Sequence, residues 1–205
     1  MSAEILNTIP TSGSYIEKHY GDSFKRSLWI KFIKDDFTEW VGCFGKGESN
    51  FDKVLINELN QFALIISGGR GYFIDINTKA EKLFIKDYPQ IDSAIHLSQT
   101  DEFVFSNFLS INIIDKNHGL VEIEPSFGVD GIYLIEEQDN KVIGHLYSYT
   151  FSTNHNVGFE MNLTTREIIR DTKRLYDYNT FERISVKEKV KTKIKFIDKL
   201  RQIFR

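Results

Sequence analysis

Four rings recur at every second position of Gly144-His145-Leu146-Tyr147-Ser148-Tyr149-Thr150-Phe151. In a strand, His145, Tyr147, Tyr149 and Phe151 share one face. Such a stripe has two readings. It is either an interior ladder of cross-strand rings, or a binding face, because tyrosine supplies contact area at little entropic loss and is enriched at interfaces. Acidic residues gather at Asp35-Asp36 and Glu136-Glu137, in segments of loop and solvent-face composition. Beside a ring-lined face they would steer a basic partner. Glu122 and Glu124 share a strand face, where charge usually blunts a sheet edge.

Catalytic signatures fail one by one. In Gly42-Cys43-Phe44-Gly45-Lys46-Gly47-Glu48-Ser49 the lysine is followed by glycine, and no helix follows to offer amides to a phosphate. Ser67-Gly68-Gly69-Arg70-Gly71 lies between two strands, so both glycine-rich stretches read as turns. Cys43 has no base signature near it and reads as a buried strand cysteine. His19, His96, His118, His145 and His155 show no metal-ligand spacing. No catalytic residue, metal or cofactor is expected, and an enzyme is the less favoured class.

The elements that must carry these residues are strands. Segments such as Leu28–Ile33, Thr38–Phe44, Phe62–Ile66, Gly71–Ile76, Glu102–Ser106 and Lys141–Phe151 are short, rich in β-branched and aromatic residues, and bounded by Gly, Asn, Asp and Lys. No crossover helix separates them, which predicts antiparallel sheets. There is also an internal echo. Gly71-Tyr-Phe-Ile-Asp-Ile-Asn-Thr-Lys79 aligns without gaps on Gly158-Phe-Glu-Met-Asn-Leu-Thr-Thr-Arg166, and Ser110–Gly119 is a looser third copy. Each reads as a strand running into a hairpin turn. The expected fold is therefore mainly β: antiparallel sheets with two or three blade-like β-hairpin repeats, as a sandwich or partial propeller, plus a C-terminal amphipathic helix. The expected organisation is an irregular N-terminal segment over 1–22, an antiparallel β domain over 23–175, and a linker with a basic amphipathic helix over 176–205.

The 205 residues are 41% hydrophobic and 14% aromatic, with 27% charged, which suits a packed core and excludes a disordered chain. From Arg183 onward nine basic residues face two acidic ones; with a total of −3, residues 1–182 carry −10. An acidic body disfavours nucleic acid as its partner and suits a basic protein. The basic tail could lie on a membrane or nucleic acid, the weaker alternative to docking on the body. Met1–Leu6 lacks the basic and apolar regions of a secretory signal and Cys43 has no disulfide partner, so a cytoplasmic location is expected.

Trp40-Val41-Gly42-Cys43-Phe44-Gly45, Ser67-Gly68-Gly69-Arg70-Gly71-Tyr72, Val129-Asp130-Gly131-Ile132 and Gly158–Thr165 resemble a group of uncharacterised bacterial mostly-β proteins over about residues 40–164. These motifs are turns and strands and transfer no catalytic residue. In general character the chain is similar to immunity proteins that neutralise toxins. The expectation is a non-enzymatic protein-binding module, an immunity-type inhibitor of a basic bacterial toxin. Its partner face would comprise His145, Tyr147, Tyr149, Phe151, Asp35, Asp36, Glu136 and Glu137. An enzyme or small-ligand protein with a site assembled from distant strands is the alternative.

Overall fold

The computed structural model describes residues 1–22, 26–86, 90–148 and 155–184. Sixteen strands form four sheets of four, and no helix occurs among the described residues. Sheet 1 holds β1 (Ser2–Leu6), β2 (Glu17–Tyr20), β3 (Ser27–Ile33) and β4 (Glu39–Gly45) in the order β1-β3-β4-β2, with β2 parallel to β4. The other sheets are antiparallel meanders. Sheet 2 runs through β5 (Lys53–Asn57), β6 (Phe62–Ser67), β7 (Arg70–Asp75) and β8 (Glu81–Ile85); sheet 3 through β9 (Ser93–Leu97), β10 (Glu102–Ser106), β11 (Ile111–Ile114) and β12 (Leu120–Ile123). Sheet 4 comprises β13 (Gly131–Gln138), β14 (Lys141–Tyr147), β15 (His155–Asn162) and β16 (Ile168–Asp177).

The hydrophobic pattern dictates how the sheets face one another. In β3, Leu28, Ile30 and Phe32 alternate toward sheet 2 and meet Ala63, Ile65, Tyr72 and Ile74 there. The reverse side of the same strands of sheet 2 carries Leu64, Ile66 and Phe73, packed on Phe103, Phe105 and Ile114 of sheet 3. Val104, Ile111 and Ile113 then leave sheet 3 on its far side to meet Ile132, Val142, Leu146 and Phe159 of sheet 4. Sheets 2 and 3 are thus apolar on both faces. This is why β6, β10 and β11 are buried along nearly their whole length instead of at alternate positions.

Polar bonds tie the faces together. The Ser67 hydroxyl and the Tyr72 phenol donate to the Phe44 and Gly45 carbonyls, at 3.2 and 2.8 Å. Ser106 donates to the Ile132 carbonyl at 2.6 Å, and the Leu134 amide donates to Ser93 Oγ at 2.7 Å.

The three echo segments occupy one structural position, the third strand of a sheet and the turn into the fourth, in sheets 2, 4 and 3. Asp75 Oδ1 accepts from the amides of Asn77 and Thr78, and Asn162 Oδ1 from those of Thr164 and Thr165. The turns close through Lys79 and Arg166 at φ 58 and 60. In the third copy, Asp115 accepts from Asn117 and Gly119. Ser67-Gly68-Gly69-Arg70 is the expected tight turn, with φ 59 and 84 at its glycines, and Cys43 is buried in β4 as expected. Of the glycine-rich stretch 42–49, residues 42–45 belong to β4, in keeping with the strand expected over Thr38–Phe44.

Three expectations are corrected. The structure has four sheets where two or three repeats were expected, because sheet 1 lacks the echo. Residues 1–22 are not irregular. β1 pairs with β3 and β2 with β4, and Tyr20 is buried with its ring stacked 4.6 Å from Phe44. These short strands have weak alternation of their own and are held by their partners' ladders. Nor is 176–181 a linker. Tyr176 lies within β16, and Asp177-Tyr178-Asn179-Thr180-Phe181 repeats the Asp75 turn, with Asp177 Oδ1 accepting from Asn179 and Thr180 and φ 58 at Phe181. The expected C-terminal helix lies outside the described residues.

Candidate functional site

The ring stripe falls on the side of sheet 4 turned away from sheet 3. In β14, Val142 and Leu146 enter the shared core, so His145 and Tyr147 point the other way. β14 stops at Tyr147; Tyr149 and Phe151 lie outside the described residues.

His145 is 4% exposed, and its burial has a clear cause. Tyr133, directly opposite on β13, stacks on it at 5.0 Å, Tyr176 of β16 lies at 5.0 Å, and Phe181 stacks at 5.2 Å. The Asn156 side-chain amide lies 3.2 Å from Nδ1. Burial pushes the imidazole pKa down to about 4, so the ring is neutral near pH 7. His145 is therefore a support beneath the face and not a contact on it, contrary to expectation. Tyr147 is half-buried, with its ring 5.1 Å from Tyr178. Burial, and the charge of Asp92, raise the Tyr133 pKa.

What solvent meets is Tyr178, 43% exposed, and Phe181, 45% exposed, both on the hairpin turn after β16. These two residues, with Tyr133 and Tyr176, are functional candidates missed by sequence reasoning. A signal existed: Asp177-x-Asn-Thr-Phe181 carries the Asp75-x-Asn-Thr-Lys79 turn pattern, which would have placed both rings at a hairpin tip beside β14.

The expected acidic residues do not join this face. Asp35 and Asp36 sit in the β3–β4 turn of sheet 1, the opposite end of the series of sheets. Asp35 accepts from the Met1 amine at 2.5 Å. Asp36 accepts from Thr38 Oγ1 and Thr38 N at 2.6 and 3.0 Å, bonds that hold its carboxyl below the usual range. Glu136 and Glu137 pair with Ile143 and Val142 at the far end of the β13–β14 hairpin. That is about 15 Å of strand from Tyr147. Glu137 is engaged across the sheets, accepting from Ser98 N and Oγ at 2.9 and 3.2 Å. The acids that do border the rings are Asp130, whose amide donates to the Tyr147 carbonyl at 2.8 Å, Asp177 in the turn itself, and Asp92 beside Tyr133.

The neutral histidine has a measurable consequence. An unfolded chain protonates His145 near 6.5, the folded protein only near 4. Between these values the unfolded state binds more protons, so stability is complete above the upper one, declines as pH falls through the window, and levels off below the lower. The urea midpoint should therefore drop from about pH 7.5 to about pH 5 by less in His145→Phe than in the wild type. His96, whose pKa burial also lowers, sustains part of the remaining slope. Equal slopes in the two proteins would remove His145 as the cause.

Among the described residues no group of three or more His, Cys, Asp or Glu is placed to hold a metal ion, and no helix is long and apolar enough to cross a membrane. No protein-family model matches the chain, and no curated protein matches it.

Proposed function

We propose that the protein is a non-enzymatic binding module whose contact face is the ring cluster on the outer side of sheet 4. The observation that carries this reading is the juxtaposition of two exposed rings, Tyr178 and Phe181, over a rigid aromatic base of Tyr133, His145 and Tyr176. Large rings fixed in place before binding lose little entropy on contact, and such anchors dominate interface energetics. Asp130, Asp177 and Asp92 at the border, with −10 over residues 1–182, suit a basic protein. An immunity-type inhibitor of a basic toxin is the specific form proposed. In the same reading the four sheets are blades of a propeller-type series, the last presenting its free face.

Affinity capture on the immobilised protein tests this. A basic protein held by the wild type should bind Tyr178→Ala/Phe181→Ala about 100-fold more weakly. Equal retention by both would reject the face. A small-ligand protein is the second reading, favoured by a cleft between sheets 2 and 3.

A further inference from the structure

That cleft, of about 330 Å³, is assembled at one end of sheets 2 and 3 by three hairpin turns, β5–β6, β9–β10 and β11–β12. Its volume lies at the small end of the range for ligand pockets. The floor is aromatic: Phe62 and the nearly buried Phe73 and Phe103. One wall is the exposed His118, held at φ 65 by the Asp115 turn, with its ring edge-on to Phe62 at 4.3 Å and to Phe73 at 5.3 Å.

The rim has hydrogen-bonding capacity that the fold does not use. Asn60 and Asn117 engage the turns only through their backbone amides, which donate to Asn57 and Asp115; their side-chain amides have no partner among the described residues. Asp115 uses Oδ1 for its turn, accepting from Asn117 and Gly119, and leaves Oδ2 without a bond there. Asp101, also on the rim, lies 4.0 Å from Nε2 of the His96 ring. Lys116 completes the lining.

From this arrangement we infer a binding site for a neutral, polyhydroxylated ring of monosaccharide size. Hydroxyl groups both donate and accept, and the rim offers carboxylate acceptors and amides that do either. The C–H face of such a ring is slightly positive and matches the negative face of Phe62. Two carboxylates against one lysine disfavour a phosphate or carboxylate ligand. This site is remote from the ring cluster of sheet 4, so its failure leaves the protein-binding reading untouched.

The test is amide NMR titration of the full chain with methyl β-D-glucopyranoside, methyl β-D-galactopyranoside and N-acetyl-D-glucosamine, with tetramethylammonium and inorganic phosphate as contrasting probes. At least one sugar should shift the His118 and Gly119 signals saturably, with a Kd of order 1 mM. Asn60→Ala/Asn117→Ala should weaken that binding at least about tenfold at an unchanged melting temperature. If the pair disturbs folding, Asn117→Ala alone reads the same loss. No saturation by any sugar up to about 50 mM, unchanged affinity in the variants, or tighter binding of tetramethylammonium or phosphate at the same signals would each overturn the assignment.

Discussion

Gly144→Ala is expected to destabilise the protein by more than about 4 kcal/mol, a large share of the stability of an ordinary domain. Gly144 sits in β14 between Leu134 and Phe159 on its neighbouring strands, on the side facing sheet 3. A Cβ there would lie 2.1 Å from the Tyr133 carbonyl oxygen and 2.6 Å from the Phe159 ring. The first neighbour is backbone, held in the β13–β14 ladder next to the bulge at Leu134/Glu136. The second is a fully buried ring in the core between sheets 3 and 4. Neither can retreat, so the methyl group must force two strands apart. Gly128, with nothing within 4 Å of its Cβ position, supplies the control. Gly128→Ala should stay within about 0.5 kcal/mol of the wild type. Urea denaturation reads both, and a cooperative Gly144→Ala transition near the wild-type midpoint would contradict the packing described.

Arg166→Asn is expected to cost about 1.5–3 kcal/mol. Arg166, on the β15–β16 turn, places Nη2 2.9 and 3.0 Å from the two carboxylate oxygens of Glu102, the first residue of β10. The bond joins sheet 4 to sheet 3. Glu102 is only 7% exposed, and once the guanidinium is gone the Thr100 hydroxyl, at 2.9 Å, is its remaining partner. The loss is dominated by the unpaired buried charge, since breaking such a pair costs more than the pair is worth. Asparagine is chosen because it tolerates the left-handed φ of 60, which separates the charge effect from backbone strain. Glu102→Gln/Arg166→Asn should therefore be more stable than Arg166→Asn by chemical denaturation. A double variant less stable than the single one would show that the pair acts by something other than charge.

The sheets were legible in the sequence to the extent that each strand's burial is written in its own residues. Phe62–Ile66 is an unbroken apolar run and Glu102–Ser106 is buried throughout because both of their faces are covered, while along Leu28–Ile33 burial alternates, with Leu28, Ile30 and Phe32 inward. The echo of 71–79 in 158–166 was legible because an Asx side chain followed by threonine builds the same turn twice. β1 and β2 were not, since Ser2–Leu6 and Glu17–Tyr20 owe their conformation to β3 and β4. The candidate face was half legible. The alternation of His145 and Tyr147 places both on one side of β14, but Tyr133 and Tyr176 reach them through cross-strand register, which a linear pattern does not reveal. The placement of the acids was hidden for the same reason: Asp35, Asp36, Glu136 and Glu137 are acidic and exposed-looking in sequence, yet the fold puts the first two on a different sheet and the other two at the far end of the hairpin. The cleft draws on three turns up to 61 positions apart (Asn57 to His118) and left no local trace.

The proposed contact face is tested most directly by photo-crosslinking in cells, with benzoylphenylalanine placed in turn at Tyr178, Phe181, Leu59 and Leu109. All four positions are exposed, but Leu59 and Leu109 belong to sheets 2 and 3. A discrete adduct with a basic protein from 178 and 181, absent from 59 and 109, is the predicted result. No adduct at 178 and 181, or the same adduct at all four positions, would contradict the assignment of this face.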